Sequence, residues 1–286
     1  MRSGFVTLVG RPNVGKSTLL NQILGTKASI TSDKAQTTRH AVRGVLHLDA
    51  ADAVTGEDTQ IVFVDTPGIH KPRTPLGEHL NATATAEIAD VDVACLVIDA
   101  TAPMGRGDRF VAERLPADAI VVVNKCDIAK RGQIVSQLSE AGSLDADAYF
   151  PVSAVTGAGV AELVDALVRR MPEGPPYYPR DQVTDVADAT WVAELVREQL
   201  LAVLREEVPH SIATRVTEWD GKRIRCEILV ERESQKGIVI GHGGSVIAEV
   251  GTRTRAQLDD DVYLELFVKV DKNWQRHPER FDRLGL

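Results

Sequence analysis

The chain has 286 residues, which exceeds the usual size of one compact domain, so two domains are expected. A hydrophobic fraction of 43% supplies apolar side chains for two cores, and a charged fraction of 26% argues against a disordered chain. The net charge of −8 argues against a dedicated polyanion binder, because proteins of that class usually carry a basic excess. The three cysteines lie far apart, without a disulfide or zinc spacing, which favours the reducing cytosol. The residues before the first apolar run are too few for a signal peptide or a membrane span, so any membrane contact is expected to be peripheral.

Short apolar runs rich in β-branched residues alternate with helix-length segments in the first half of the chain. Five of them are interpreted as buried strands of a mostly parallel sheet with helices on both faces. A further run, joined to the next strand by a polar, glycine-containing stretch, predicts an antiparallel hairpin at the sheet edge. In chain order the predicted strands are Phe5–Val9, Val42–Leu48, Ile61–Val64, Val93–Ile98, Ile120–Val123 and Tyr149–Val152.

The first predicted strand is followed by the pattern G-x-x-x-x-G-K-[ST] and then by a predicted helix. The glycines let backbone N–H groups wrap phosphates at the positive N-terminus of that helix. Lys16 is expected to reach the β and γ phosphates, and Ser17 to offer its hydroxyl to Mg²⁺. The alternative is a glycine-rich turn without a ligand. The predicted phosphate-binding residues are Gly10, Arg11, Pro12, Asn13, Val14, Gly15, Lys16, Ser17 and Thr18.

A second motif, Asp65-Thr66-Pro67-Gly68, follows a predicted strand at the edge where ligands of open parallel sheets collect. Asp65 is expected to hold Mg²⁺ through water, and the Gly68 N–H to sense the γ-phosphate. The alternative is a Pro-Gly turn that only ends the strand.

The motif Asn124-Lys125-Cys126-Asp127 indicates which base is bound. The Asp127 carboxylate can accept from both N1–H and the 2-amino group of guanine, whereas adenine would leave it unpaired, so GTP is preferred over ATP. The pair Ser153-Ala154 would add a backbone N–H for guanine O6, although alone it is more often a helix N-cap. The predicted base-binding residues are Asn124, Lys125, Asp127, Ser153 and Ala154.

These motifs in this order resemble the translation-factor-related GTPases, and the segment Gln36-Thr37-Thr38-Arg39-His40 narrows the resemblance to the Era family of bacterial ribosome-assembly GTPases. The resemblance implies an enzyme that hydrolyses GTP to GDP with Mg²⁺, with Lys16, Thr38 and Gly68 as its catalytic residues. It makes Thr38 the switch threonine that contacts Mg²⁺ together with Ser17 and Asp65, with Thr37 as the alternative. Turn chemistry alone would also explain two threonines in a loop.

The position after Gly68 is occupied by Ile69, where Ras-like proteins carry a glutamine that orients water. A hydrophobic side chain cannot do this, so hydrolysis is expected to be slow or to use another device. Asn13 resembles the P-loop asparagine of GTPases that recruit a potassium ion to the phosphates. The alternative is that Asn13 only caps the loop.

The proline-rich stretch Met171–Pro179 can continue neither a helix nor a central strand, which predicts a domain boundary. The expected division is a first domain over 1–171, a linker over 172–189 and a second domain over 190–286.

In the second domain, the spacing of apolar residues over Trp191–Leu204 predicts a helix. The segments Arg223–Glu231 and Val262–Val270 alternate like half-buried strands, with helical sequence around Ile247–Leu258 between them. A G-x-x-G at Gly241–Gly244 lies in a β-β-α-α-β order, and by itself it indicates only a tight turn between helices.

The segment Glu231–Gly237 and the proline-rich linker add to the Era resemblance, which covers essentially the whole chain. It implies an α/β P-loop GTPase domain followed by an α+β type II KH domain that binds small-subunit ribosomal RNA near its 3′ end and assists 30S assembly. KH loops clamp a single-stranded backbone of about four nucleotides. The predicted RNA-binding residues are Lys236, Gly241, His242, Gly243, Gly244, Arg253 and Arg255.

Two departures from the family pattern weaken the expected RNA affinity. His242 stands where the family usually has lysine, which removes a full charge at neutral pH. Asp259–Asp261 replaces a longer, glycine-containing turn, and the chain from Arg180 onward carries a net charge of −4.

Two other functions stay open. One is a membrane-associated signalling GTPase whose second domain binds protein or lipid, for which absence of bound RNA would be diagnostic. The other is an RNA-binding module that uses GTP only as a structural ligand, which measurable turnover would reject. We expect a cytoplasmic monomer, with peripheral contact to the inner membrane as a further option.

Overall fold

The computed structural model describes residues 1–34, 36–72, 74–89, 91–144, 146–205, 207–259, 261–281 and 284. The chain divides into two compact units. The first comprises Met1–Thr31, Thr38–Pro72 and Gly77–Asp185, and the second comprises Ser32–Thr37, Arg73–Leu76 and Val186–Leu286.

The first unit alternates strands and helices, as the spacing of apolar runs predicts. Its strands are β1 (Arg2–Val9), β2 (Val42–Leu48), β3 (Thr59–Asp65), β4 (Val93–Asp99), β5 (Ile120–Asn124) and β6 (Ala148–Pro151). Its helices are α1 (Lys16–Leu24), α2 (Pro75–Ala89, whose first residues are grouped with the second unit), α3 (Arg106–Ala112), α4 (Arg131–Ala141) and α5 (Val160–Val168).

These six strands form one sheet in the order β2-β3-β1-β4-β5-β6. All neighbours are parallel except β2, which pairs antiparallel with β3 from Val42 opposite Asp65 to Leu48 opposite Thr59. The mostly parallel sheet and the antiparallel edge hairpin are therefore confirmed. Because the parallel strands all point the same way, the turns after β1, β3 and β5 meet at one edge of the sheet.

The proline-rich segment after α5 is bonded to the first unit as far as Asp185. The buried Gln60 side chain in β3 accepts from the Tyr177 N–H at 2.7 Å and donates to the Tyr178 carbonyl at 2.8 Å. The Val45 N–H in β2 donates to the Val183 carbonyl at 2.8 Å. The expected linker, 172–189, therefore runs along the sheet over most of its length, and helix α6 begins at Asp188.

The second unit has a three-stranded sheet in the order β7-β8-β9, with β7 antiparallel and β9 parallel to β8. Apolar side chains of α6, α7 and α8 are buried in this unit, including Leu195, Val239 and Val250. The order β-β-α-α-β is confirmed. The elements are α6 (Asp188–Val203), β7 (Ala213–Asp220), β8 (Arg223–Val230), α7 (Glu233–Ile240), α8 (Ser245–Arg255) and β9 (Tyr263–Val270).

Among the described residues, no helix has both the length and the apolar character needed to cross a bilayer.

Candidate functional site

The glycine-rich loop joins the end of β1 at Val9 to the start of α1 at Lys16. Gly15 has a φ of 95°, and a Cβ placed on it would lie 2.3 Å from Asn124 Nδ2, so only glycine fits there. Asn124 Nδ2 donates to the Val14 carbonyl at 2.9 Å. This bond ties the loop directly to the end of β5, so the predicted phosphate-binding and base-binding motifs are in direct contact.

Lys16 is buried at the first position of α1. Its ammonium donates to the carbonyls of Gly10 at 3.3 Å and Arg11 at 3.2 Å, which holds it against the loop. Burial lowers the pKa of Lys16 to about 8, against the opposing effect of the Asp65 charge. Phosphate oxygens placed in the loop would favour the charged form, so Lys16 is poised for an anionic ligand.

Three side chains predicted as magnesium ligands converge beneath this loop. Ser17 Oγ donates to Asp65 Oδ2 at 2.6 Å, and Thr38 Oγ1 lies 3.0 Å from Ser17 Oγ and 3.4 Å from Asp65 Oδ2. The Thr37 hydroxyl instead donates to the Lys34 carbonyl, so the geometry favours Thr38 over Thr37.

The other oxygen of this carboxylate, Asp65 Oδ1, is buried and has no hydrogen-bond partner among the described residues. Burial raises the pKa of Asp65, and the Lys16 charge and hydrogen bonds from hydroxyl groups act in the opposite direction. Hydroxyl and carboxylate oxygens are the hard ligands that Mg²⁺ prefers, and one of them still lacks a partner. These residues therefore fit a magnesium ion.

Gly68 and Ile69 continue the chain beyond Asp65. A Cβ placed on Gly68 would lie 2.7 Å from the Pro12 backbone nitrogen, so this turn lies directly against the glycine-rich loop. Ile69 is buried in a core cluster with Val9 and Leu96, which leaves no polar group at the position of the Ras-like glutamine. The Thr66 hydroxyl donates to a β1 carbonyl, which gives it a structural role in tying β3 to β1.

The predicted base-binding residues meet where β5 and β6 end. Ser153 Oγ donates to Asp127 Oδ1 at 2.8 Å, and the Ala154 N–H donates to Asn124 Oδ1 at 2.9 Å. The Asp127 side chain is exposed and keeps a second oxygen for a base. The Ala154 N–H would have to be shared between Asn124 and guanine O6.

Two charged pairs at the site were missed by sequence reasoning, because each partner lies far away along the chain. Lys125 donates to Asp99 Oδ2 at 2.6 Å. Burial acts to raise the pKa of Asp99, but hydrogen bonds from Lys125 and Thr101 outweigh it and lower the pKa. Arg11 Nε donates to the buried Asp108 at 2.7 Å, so its side chain faces α3.

Asn13 lies exposed in the loop with a φ of 65°. Asparagine tolerates this left-handed conformation better than most residues, which is compatible with a role in loop shape as well as with a role in binding a cation.

In the second unit, the G-x-x-G segment forms the turn between α7 and α8. Gly241, Gly243 and Gly244 all have positive φ angles, of 75°, 58° and 81°. A Cβ on Gly243 or Gly244 would meet no atom within 4 Å, so both face open space. His242 is exposed in the same turn. A polymer backbone can therefore approach this loop closely.

The predicted basic residues of the second unit are spread along its helices. Lys236 lies in α7, whereas Arg253 and Arg255 lie about 12 to 15 Å along α8 from its start at the loop. Arg253 pairs with Glu249 at 2.7 Å, which offsets part of its charge. In the acidic turn after α8, Asp259 and Asp261 are described, and Asp260 lies outside the described residues.

Comparison with known proteins matches both units. Residues 5–125 match the family of 50S ribosome-binding GTPases, and residues 207–275 match the KH domain family. GTPase Era of Mycobacterium avium (strain 104) is 45% identical over 302 residues, which covers 99% of this chain and 98% of that protein. GTPase Era of Mycobacterium tuberculosis (strain ATCC 25618 / H37Rv) is 46% identical over the same share.

A crystal structure of Era in complex with MgGDPNP and nucleotides 1506–1542 of 16S ribosomal RNA superposes with a TM-score of 0.92. That protein is 39% identical, and the match covers 100% of this chain and 99% of the other. With this agreement over the full length and in both units, the chain belongs to the Era family of GTPases.

Proposed function

We propose that this GTPase binds GTP with Mg²⁺ in its first unit and single-stranded small-subunit ribosomal RNA, near the 3′ end, in its second, and that it assists assembly of the 30S subunit. The observation that carries the proposal is the combination, in one chain, of a complete phosphate and base site with an open G-x-x-G loop. The related Era bound to MgGDPNP and a 16S RNA fragment supports the same pairing of ligands.

In the nucleotide site, the chain's residues have separate tasks. Lys16 leaves its two loop carbonyls for the β and γ phosphates, and Asp127 accepts from the guanine edge. Ser17 and Thr38 supply hydroxyl oxygens to Mg²⁺, and Asp65 holds a metal-bound water. Bound Mg²⁺ would neutralise charge that develops on the phosphates during hydrolysis. The Gly68 N–H, in the turn that lies against the glycine-rich loop, would donate to the γ-phosphate.

In the RNA site, Gly241 to Gly244 form the backbone clamp, and Lys236, His242, Arg253 and Arg255 supply positive charge. The absence of side chains on the exposed loop glycines leaves room for a sugar-phosphate backbone. The G-x-x-G loops of KH domains clamp a short single-stranded backbone, so we expect this loop to bind a single strand rather than a duplex.

The test compares two glycine-to-aspartate variants. Gly243→Asp places a negative side chain in the loop, and aspartate tolerates the left-handed φ of 58° better than most residues. Gly221→Asp is the matched control, because Gly221 has a φ of 54° and equally open surroundings in the β7–β8 turn. We expect Gly243→Asp to abolish binding to the 3′ fragment of small-subunit RNA, with GTP hydrolysis intact, while Gly221→Asp binds normally. Equal RNA affinity of both variants and wild type would reject the loop as the RNA site.

A potassium ion at Asn13 is part of the proposal. The ion would supply positive charge near the phosphates. Ile69, at the position of the Ras-like glutamine, is apolar and buried and cannot supply it. Hydrolysis should be faster in potassium than in sodium at equal ionic strength, and Asn13→Ala should abolish the difference. Equal wild-type rates in both salts would contradict it.

We further propose that the protein acts in the cytoplasm as a monomer. Peripheral contact with the inner membrane is a separate proposal, which vesicle cosedimentation of the full chain would test.

A further inference from the structure

A third hydroxyl group reaches the Asp65 carboxylate and has no role in the nucleotide chemistry described so far. Ser29 lies in the loop after α1 with 2% of its surface exposed. Its Oγ donates to Asp65 Oδ2 at 2.9 Å, beside the bond from Ser17. Unlike Ser17 and Thr38, Ser29 belongs to none of the motifs that identify the site.

Ser29 is itself held in place by the side chain of Asn21. Asn21 Oδ1 accepts from the backbone N–H groups of Ala28 and Ser29, both at 2.9 Å. Asn21 Nδ2 donates to the Ser29 carbonyl at 2.8 Å. The peptide groups on both sides of Ser29 are therefore fixed to helix α1.

Asn21 lies four residues after Ser17 on α1, so the two side chains share one face of that helix. One rigid element thus carries the Ser17 hydroxyl and also the amide that fixes the Ser29 hydroxyl. Both hydroxyls donate to the same oxygen, Asp65 Oδ2. Hydrogen bonds to a charged acceptor are stronger than neutral ones, so rotation of the carboxylate away from these donors is costly.

We propose that Ser29, held by Asn21, is a positioning residue that fixes the Asp65 carboxylate so that Oδ1 faces the metal-bound water. The arrangement accounts for the buried Oδ1 that has no partner among the described residues, while Oδ2 accepts from several hydroxyls. The inference rests on the proposed Mg²⁺–nucleotide site. Ser29 acts through Asp65 and does not contact the nucleotide.

The experiment measures release of a fluorescent GDP analogue from the full-length protein over a series of Mg²⁺ concentrations and in EDTA. Ser29→Ala is expected to raise the Mg²⁺ concentration for half-maximal slowing of release by roughly tenfold, because it removes one hydrogen bond to a charged group. In EDTA no Mg²⁺ is bound, so the lost hydrogen bond should not affect GDP release. The release rate of Ser29→Ala in EDTA should therefore stay within about twofold of wild type. Ser29→Thr, which keeps the hydroxyl, should restore the wild-type Mg²⁺ dependence. Asn21→Ala should shift it in the same direction as Ser29→Ala.

The matched control is Ser3→Ala, which removes another buried hydroxyl of the same unit, bonded to the Pro175 carbonyl at 2.7 Å. It should leave the Mg²⁺ dependence unchanged. An unchanged Mg²⁺ dependence in Ser29→Ala, or an equal acceleration with Mg²⁺ and in EDTA, would overturn the inference. A wild-type protein whose GDP release ignores Mg²⁺ would instead contradict the proposed nucleotide site itself.

Discussion

The side chain of Ser153 determines which atoms of residue 127 face the nucleotide base. Ser153 Oγ donates to Asp127 Oδ1, so an amide introduced at this position would turn its oxygen toward Ser153 and its NH₂ group toward the base. An NH₂ group there would match the 2-oxo group of xanthine and oppose the 2-amino group of guanine.

We therefore expect Asp127→Asn to shift preference from GTP to xanthosine triphosphate. A competition assay between the two nucleotides measures the shift, and Asp118→Asn, which removes an exposed carboxylate in the turn before β5, is the control. Retained preference for GTP in Asp127→Asn would contradict the assigned role.

Lys16 predicts a pH dependence of nucleotide binding. Its pKa of about 8 in the nucleotide-free protein lies below the ordinary value of 10.5, and bound phosphates would raise it. Above pH 8, binding must therefore take up a proton, and affinity should fall by up to about tenfold per pH unit. Below pH 8, Lys16 is already charged and contributes no dependence.

The measurement is GDP affinity in EDTA from pH 7 to pH 9, with proton uptake read by calorimetry in two buffers. Lys16→Arg should bind more weakly but lack this dependence, because its guanidinium stays charged. A wild type without proton uptake at pH 9 would refute the assignment.

Helix α6 is hydrogen-bonded to residues 36 and 37, which are distant in sequence but belong to the same unit. Arg197 is 1% exposed and forms two bonds to Glu194, Nε to Oε1 at 2.8 Å and Nη2 to Oε2 at 2.5 Å. Its Nη groups also donate to the carbonyls of Gln36 and Thr37. One buried guanidinium therefore ties residues 36 and 37 to α6.

Arg197→Ala is expected to destabilise the second unit by about 3 kcal/mol, since it breaks a buried ion pair. Amide hydrogen exchange in residues 32–37 should accelerate at the same time. Arg215→Ala removes a more exposed ion pair, in which two Arg215 nitrogens donate to Glu227 Oε2, and is the control that should leave that exchange unchanged. Unaltered protection of residues 32–37 in Arg197→Ala would show that other contacts hold the segment.

For the whole molecule, charge and motif act in opposite directions on RNA binding. The chain is net −8, and the part from Arg180 onward is net −4, so long-range attraction of RNA is weak. Affinity must then come from local contacts at the G-x-x-G loop and from few phosphate contacts.

We expect a shallow salt dependence for single-stranded RNA, with a slope of log affinity against log salt of about −2, which corresponds to about three phosphate contacts. Filter binding at 50 to 300 mM salt gives this slope. Glu249→Gln, which releases Arg253 from its ion pair, should increase affinity and steepen the slope. A wild-type slope steeper than about −5 would indicate a broad basic interface instead.

The order of apolar runs determined the sheet, because buried parallel strands need continuous β-branched sequence, and runs such as Ile120–Val123 carry that signal locally. The spacing of Gly10 to Ser17 and the residues at Asp65 and Asp127 likewise determined the class of ligand, since each motif is short and its chemistry is contained in its own residues. The tertiary structure alone decided which distant groups complete the site: Ser29 and Asn21 at Asp65, Asp99 at Lys125, and the packing of the proline-rich segment against Gln60. Such hydrogen bonds join residues up to 118 positions apart, so they depend on how the strands and helices come together and leave no periodic pattern in the sequence.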